Sequence, residues 1–200
     1  TTNGNPLLIK WVAGQLGREG SQAHSIPQAC AFLKAALKEN DPLEYIFGDL
    51  LDTFSESETA VLAALAHFTQ PAAAKWIAEV AGLPEPSTLA ALEDLADRAL
   101  VMSDKEAQTF LLPPLAAVFI RRTRPEIISQ AGERLTDGVV ALALENGYQN
   151  FERFPVLKTG WVAVAAALPL LLQGENARLQ SVCSALDTFM EFYGHWDEWL

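Results

Sequence analysis

Prolines stand at the head of most apolar runs in this chain, and that placement limits what it can fold into. A proline fixes φ near −65° and lacks an N–H, so a helix tolerates it in the first turn and almost nowhere later. Eleven prolines in 200 residues therefore divide the chain into many short helices. Behind Pro6, the residues Leu8, Trp11, Val12 and Leu16 fall at helical spacing in a helix expected from Leu7 to Gly17. The stretch IPQACAFLKAALKEN, entered at Ser25 and Pro27, predicts a second helix with Cys30, Phe32, Leu33 and Leu37 inward and Lys34 and Lys38 outward. Asp41 caps and Pro42 opens a third, DPLEYIFGDLLDTF. Ser55 and Glu58 form an S-x-x-E capping box ahead of TAVLAALAHF, where hydroxyl and carboxylate satisfy each other's backbone amides. After the break at Gln70-Pro71, AAAKWIAEVAG, closed by Gly82, and PEPSTLAALEDLADRAL predict two more helices. VMSDKEAQTFLL holds two short β-prone runs around a polar turn and predicts a hairpin, and Pro113-Pro114 starts the helix PLAAVFIRRTR.

The expectation is a mainly α chain. It comprises a helical bundle segment over 1–53, a winged-helix domain with a small β-hairpin over 54–124, and a helical, TPR-like region over 125–200. Within the last, EIISQAGERLTDGVVALALENG reads as a long amphipathic helix ended by Gly147, and Phe151, Phe154 and Pro155 as an aromatic-packed loop. WVAVAAALPLLLQG reads as a largely buried helix, and ENARLQSVCSALDTFMEFYG as another closed by Gly194. The final GHWDEWL resembles the turn and second-helix start of a tetratricopeptide repeat, with Trp199 in place of the expected small residue.

A winged helix that reads DNA presents Arg, Lys or polar donors on its third helix and hairpin. Here LAALEDLADRAL sets Glu93, Asp94 and Asp97 against the single cation Arg98, and the hairpin turn sets Asp104 and Glu106 against Lys105. With 14 basic and 25 acidic residues the chain carries a net charge of −11, which repels a phosphate backbone or an anionic bilayer. The cluster Arg121, Arg122 and Arg124 reads as cations placed at a helix C-terminus, or as one basic patch. Glu93, Asp94 and Asp97 read as a solvated face or a docking surface for basic groups, before an acid–base couple.

Two widely separated cysteines, Cys30 and Cys183, suggest neither a zinc site nor a disulfide, and read as buried thiols of a reducing cytosol. His24, His67 and His195 accompany no nucleophile signature, and His67, at the apolar end of a helix, reads as a core or capping histidine. Trp11, Trp76, Phe110 and Trp161 are expected in the core, Trp196 and Trp199 partly exposed. The apolar run from Trp161 is too short to span a bilayer, which needs about 20 residues. The expectation is a soluble, cytoplasmic protein.

The opening GNPLLIKWVAGQLG resembles the G-x-P-L motif and following helix of the NB-ARC family of signal-transduction ATPases. IFGDLLDTFSESETAVLAALAHF resembles the start of that family's winged helix, and LAALEDLADRALV its third helix and first wing strand. FLLPPLAAVFIRR resembles the winged-helix end of bacterial, especially cyanobacterial, members. The resemblance covers some 120 residues in the family's order. It implies that Gly4 and Pro6 contact an adenine nucleotide, although for the chain taken alone a plain helix-opening turn is the stronger reading. It also implies that the partner is the nucleotide-binding domain of a longer parent chain, which would carry ADP or ATP with magnesium. No G-x-x-x-x-G-K-[ST] occurs in the sequence, so ATP hydrolysis is not expected of these residues alone, and no cofactor or metal is assigned to them. Pro113 stands where many members place a nucleotide-sensing histidine, and proline has no donor for that role. The implied function is a regulatory module that relays nucleotide state and a sensor signal, with protein contacts through Glu93, Asp94, Asp97, Trp196 and Trp199 and an oligomer possible on activation. Two other readings stay open: a helical protein-binding scaffold, and a winged-helix DNA-binding regulator.

Overall fold

The computed structural model describes residues 6–17, 21–36 and 42–193. In chain order these form α1 (Pro6–Ala13), α2 (Ile26–Ala36), α3 (Pro42–Leu51), α4 (Glu56–Leu65), β1 (Ala72–Ala73), α5 (Ala74–Ala81), α6 (Glu85–Asp97), β2 (Met102–Asp104), β3 (Thr109–Leu111), α7 (Pro114–Thr123), α8 (Pro125–Asn146), a single 3-10 turn (Phe151–Arg153), α9 (Phe154–Gln173) and α10 (Asn176–Tyr193). The proline punctuation has a direct local consequence. Helices α1, α3, α7 and α8 begin on a proline, and α2, α6 and α9 carry one at their second position.

The capping box is formed in full. The Glu58 amide donates to Ser55 Oγ at 3.2 Å and the Ser55 amide donates to Glu58 Oε2 at 2.7 Å. Gly82 closes α5 with φ +71°, a left-handed conformation that glycine adopts without strain.

Among the described residues the strands form one antiparallel sheet in the order β1-β3-β2. Ser103 pairs with Phe110, and Phe110 on its other side with Ala72. The hairpin turn is locked by Asp104, whose carboxylate accepts from the amides of Glu106 and Ala107 at 2.9 and 3.0 Å. β1 corrects the sequence reading, which placed Ala72 and Ala73 inside the next helix. Two alanines have helical propensity and no period-2 pattern, and only pairing with β3 makes them a strand.

The core runs through all ten described α-helices and through β1 and β3. Trp11 of α1 lies 5.3 Å from Phe47 of α3, which stacks at 5.2 Å on Phe119 of α7. Helix α8 packs against α4, α5 and α7 on one side and α9 and α10 on the other. Its Arg134 Nε donates to the Val80 carbonyl at 2.9 Å, and its Leu142 and Trp76 of α5 both close on Gly160 of α9.

Three further expectations are corrected. Phe154 and Pro155 lie in the first turn of α9 rather than in a loop, and Phe154 is buried edge-on against Phe189 at 5.3 Å. Together with the 3-10 turn before it, α9 makes a 23-residue helical segment (Phe151–Gln173) holding an 18-residue window of mean hydropathy 1.6, so by length and composition it is enough to cross a bilayer. It packs against α8 and α10. Cys30 is exposed and Cys183 half-buried, because the inward stripe of α2 is Ala29, Phe32 and Ala36 and Cys30 falls one residue off it.

Candidate functional site

The residues singled out by the sequence fall at three places. Pro6 opens α1 and is exposed, while Gly4 lies outside the described residues. Trp196 and Trp199 also lie outside them. The acidic residues of α6 are fully described, and they divide into two roles.

Asp94 turns inward. The Arg98 Nε donates to its carboxylate at 2.8 Å, a one-turn pair favoured on a helix. The same guanidinium reaches Glu58 Oε1 at 3.0 Å and donates to Thr53 Oγ1 at 3.3 Å, and its plane lies 5.2 Å from the Phe54 ring centre. Arg98 and Glu58 are both buried, at 7% exposure each. Glu58 thus divides its carboxylate: Oε2 caps α4, and Oε1 faces Arg98 without an aligned hydrogen bond, so that attraction is coulombic. The sequence reading of Arg98 as a cation on an exposed acidic helix is corrected here. Asp94 and Arg98 are part of the junction between α4, α6 and the chain before α4.

Glu93 and Asp97 remain on the surface. With Glu85 and Leu89 they recur every four residues, which on a helix makes one ridge. Leu89, 40% exposed at its centre, and Glu85 were missed by sequence reasoning, which weighed only the run Glu93–Asp97. The signal was present as four-residue spacing. The ridge carries three carboxylates around one apolar side chain, a surface that suits a basic, partly apolar partner.

Each arginine of the basic cluster contacts another group of the chain, although Arg121 and Arg122 are exposed. Arg121 donates to the Ala66 carbonyl at the end of α4, Arg124 lies 3.7 Å from Asp52, and Arg122 lies 5.4 Å from the Phe119 ring centre. Pro113 is the residue before α7, with φ −54° and ψ 137°. At the other end of the molecule Phe151 and Phe192 are exposed with their rings 6.2 Å apart, and Lys158 sits 5.4 Å from the Tyr193 ring centre.

Of the histidines, His24 is exposed beside the Ser21 carbonyl at 3.1 Å, and His67 is half-buried with Nε2 3.0 Å from the Ile128 carbonyl. Burial holds the His67 pKa below its ordinary value, against the opposing bond to Ile128. Burial likewise raises the Cys183 thiol. Among the described residues no His, Cys, Asp and Glu side chains gather as a group able to hold a metal ion. The arrangement offers surfaces for contact with other molecules. Compared with protein-family models, with curated proteins and with solved structures, the chain matches none.

Proposed function

We propose that the chain is a regulatory module of a signalling ATPase like those of the NB-ARC family, with a winged-helix unit over 54–124 and a TPR-like helical region after it. The observation that carries the reading is the position of β1, between the first two helices of the α4, α5, α6 group and paired with the hairpin strand β3. Helix, short strand, two helices, hairpin and closing helix is the order that a winged helix has. Of the stretches that carry the resemblance, SESETAVLAALAHF, LAALEDLADRALV and FLLPPLAAVFIRR run in that order over α4, α6 and β3 with α7, which supports the reading.

In this reading the α6 ridge of Glu85, Leu89, Glu93 and Asp97 docks on basic groups of the nucleotide-binding domain, and the docked state is the inactive one. Gly4 and Pro6 contact the adenine nucleotide of that domain, which carries the magnesium and the hydrolytic residues. Release is a population shift between two packings. The moving body includes α8 to α10, because Arg134, Trp76 and His67 fasten them to α4 and α5. Reading of DNA by α6 is disfavoured by the same ridge, whose carboxylates would face phosphates. The exposed pair Phe151 and Phe192 favours a second reading, a helical scaffold that binds a protein partner at that end.

The test is to recover the native protein from its source cell with an antibody against these residues. A species far heavier than 21.8 kDa that retains ADP supports the module. A species of that mass free of nucleotide overturns it and leaves the scaffold.

A further inference from the structure

The ring of His67 occupies the place where four helices meet. It follows the last turn of α4, and its Nε2 lies 3.0 Å from the Ile128 carbonyl in the first turn of α8. Gly132, one turn further along α8, leaves the room the ring needs: a Cβ there would stand 3.2 Å from His67 Cε1 and 3.3 Å from Leu170 Cδ1 of α9. From α7 comes Arg121, whose guanidinium donates to the carbonyl of Ala66, the residue next to His67.

The charge that acts on the ring is positive, that of Arg121. α7 presents Arg121, whereas α8 presents the Ile128 carbonyl and Gly132, and α9 presents Leu170. The end of α4 would ordinarily welcome a cation through its free carbonyls, but Arg121 already answers Ala66. A proton added to the ring would therefore be half-buried and beside a cation.

We infer that His67 is a proton-sensitive latch between α4 and α8, whose protonation loosens α8, α9 and α10 from the α4 to α7 group. The ring can donate from Nε2 to Ile128 in either protonation state, so what an added proton changes is the charge that the half-buried ring carries beside Arg121, and that charge works against its packing on the start of α8. The inference needs no nucleotide and no upstream domain, and it stands apart from the ATPase reading. Its sign follows from the lowered pKa of the packed ring: the latch is closed at pH values above the ordinary histidine value of about 6.5. It opens as pH falls through the lower value of the packed state.

The experiment is amide hydrogen exchange of the 200-residue chain from about pH 7.5 to about pH 5, corrected for intrinsic rates, across the range in which histidine titrates. The expected result is a rise in opening of the Ile128–Leu135 amides on acidification, by up to about tenfold for each unit by which the ring is depressed. His67→Gln, which keeps an N–H for Ile128 and does not titrate, should show no such rise. A flat profile in the native chain, or an equal rise in His67→Gln, overturns the latch. Should His67→Gln fail to fold, the native ring is titrated by NMR, assigned through its contacts with Gly132 and Leu170. A midpoint below about 6.5 supports the latch and one at or above it refutes it.

Discussion

Gly14 lies directly against the backbone of Arg98: a Cβ built on Gly14 would stand 2.6 Å from the Arg98 carbonyl oxygen and 2.8 Å from its Cα. The end of α1 therefore seats on the C-cap of α6 with no space for a side chain. Gly14→Ala should destabilise the chain by about 1–3 kcal/mol, the usual range for overpacking, because the obstruction is backbone that cannot rotate away. Thermal unfolding of the variant checks this. An unchanged midpoint would mean that α1 is not held on α6 in solution.

Arg98 itself donates to Asp94 and Thr53 and faces the Glu58 carboxylate, and the two carboxylates are not equivalent. Asp94 is half-exposed, whereas Glu58 is buried and also caps α4. Arg98→Leu leaves the Glu58 carboxylate buried and uncompensated, which should cost about 3–5 kcal/mol. Adding Glu58→Gln removes that stranded charge, so the double variant should be less destabilised than the sum of the two single changes. Denaturant unfolding of all four chains gives the coupling. Strict additivity would show that the two groups do not sense each other.

The carboxyl of Asp49 is raised above its usual value, first by burial and further by Asp52, against the lowering bond from Gln22 Nε2 at 2.6 Å. A folded-state pKa above the unfolded one adds stability that is complete below the unfolded value and is lost as pH rises through the folded one. Asp49→Asn keeps an acceptor for Gln22 and carries no charge. It should raise the thermal midpoint at neutral pH and leave it unchanged near pH 3, where Asp49 is protonated in both states. A midpoint that falls at neutral pH would show that the charged form is the preferred partner of Gln22.

Much of the architecture was legible in the proline pattern, because a proline in the first turn leaves its mark in one residue and needs no tertiary partner. The Ser55–Glu58 box and the hairpin around Asp104 were legible for the same reason, being local chemistry. β1 was not, since Ala72 and Ala73 become a strand only by meeting Thr109 and Phe110. The site divided along the same line. The charges of α6 were visible, but which of them face water depended on Glu58, some forty residues earlier in the chain, and on the burial of Arg98 that it permits. The His67–Ile128 contact is of the same long-range kind and left no trace in spacing.

That division of α6 gives the sharpest separation of folding from docking. Glu93 and Asp97 are exposed, so Glu93→Gln with Asp97→Asn should change stability by no more than about 0.5 kcal/mol, the usual range for surface changes away from special features. Asp94→Asn, which weakens the bond to Arg98, should cost about 1 kcal/mol or more. If the ridge is a docking surface, as proposed, the double change weakens association of the chain with a nucleotide-binding domain of the NB-ARC type and makes that association less sensitive to salt. Both can be read in one titration series at two ionic strengths, with thermal midpoints measured alongside. Loss of association from Asp94→Asn alone, with the Glu93 and Asp97 changes silent, would place the docking surface elsewhere and leave α6 a purely structural helix.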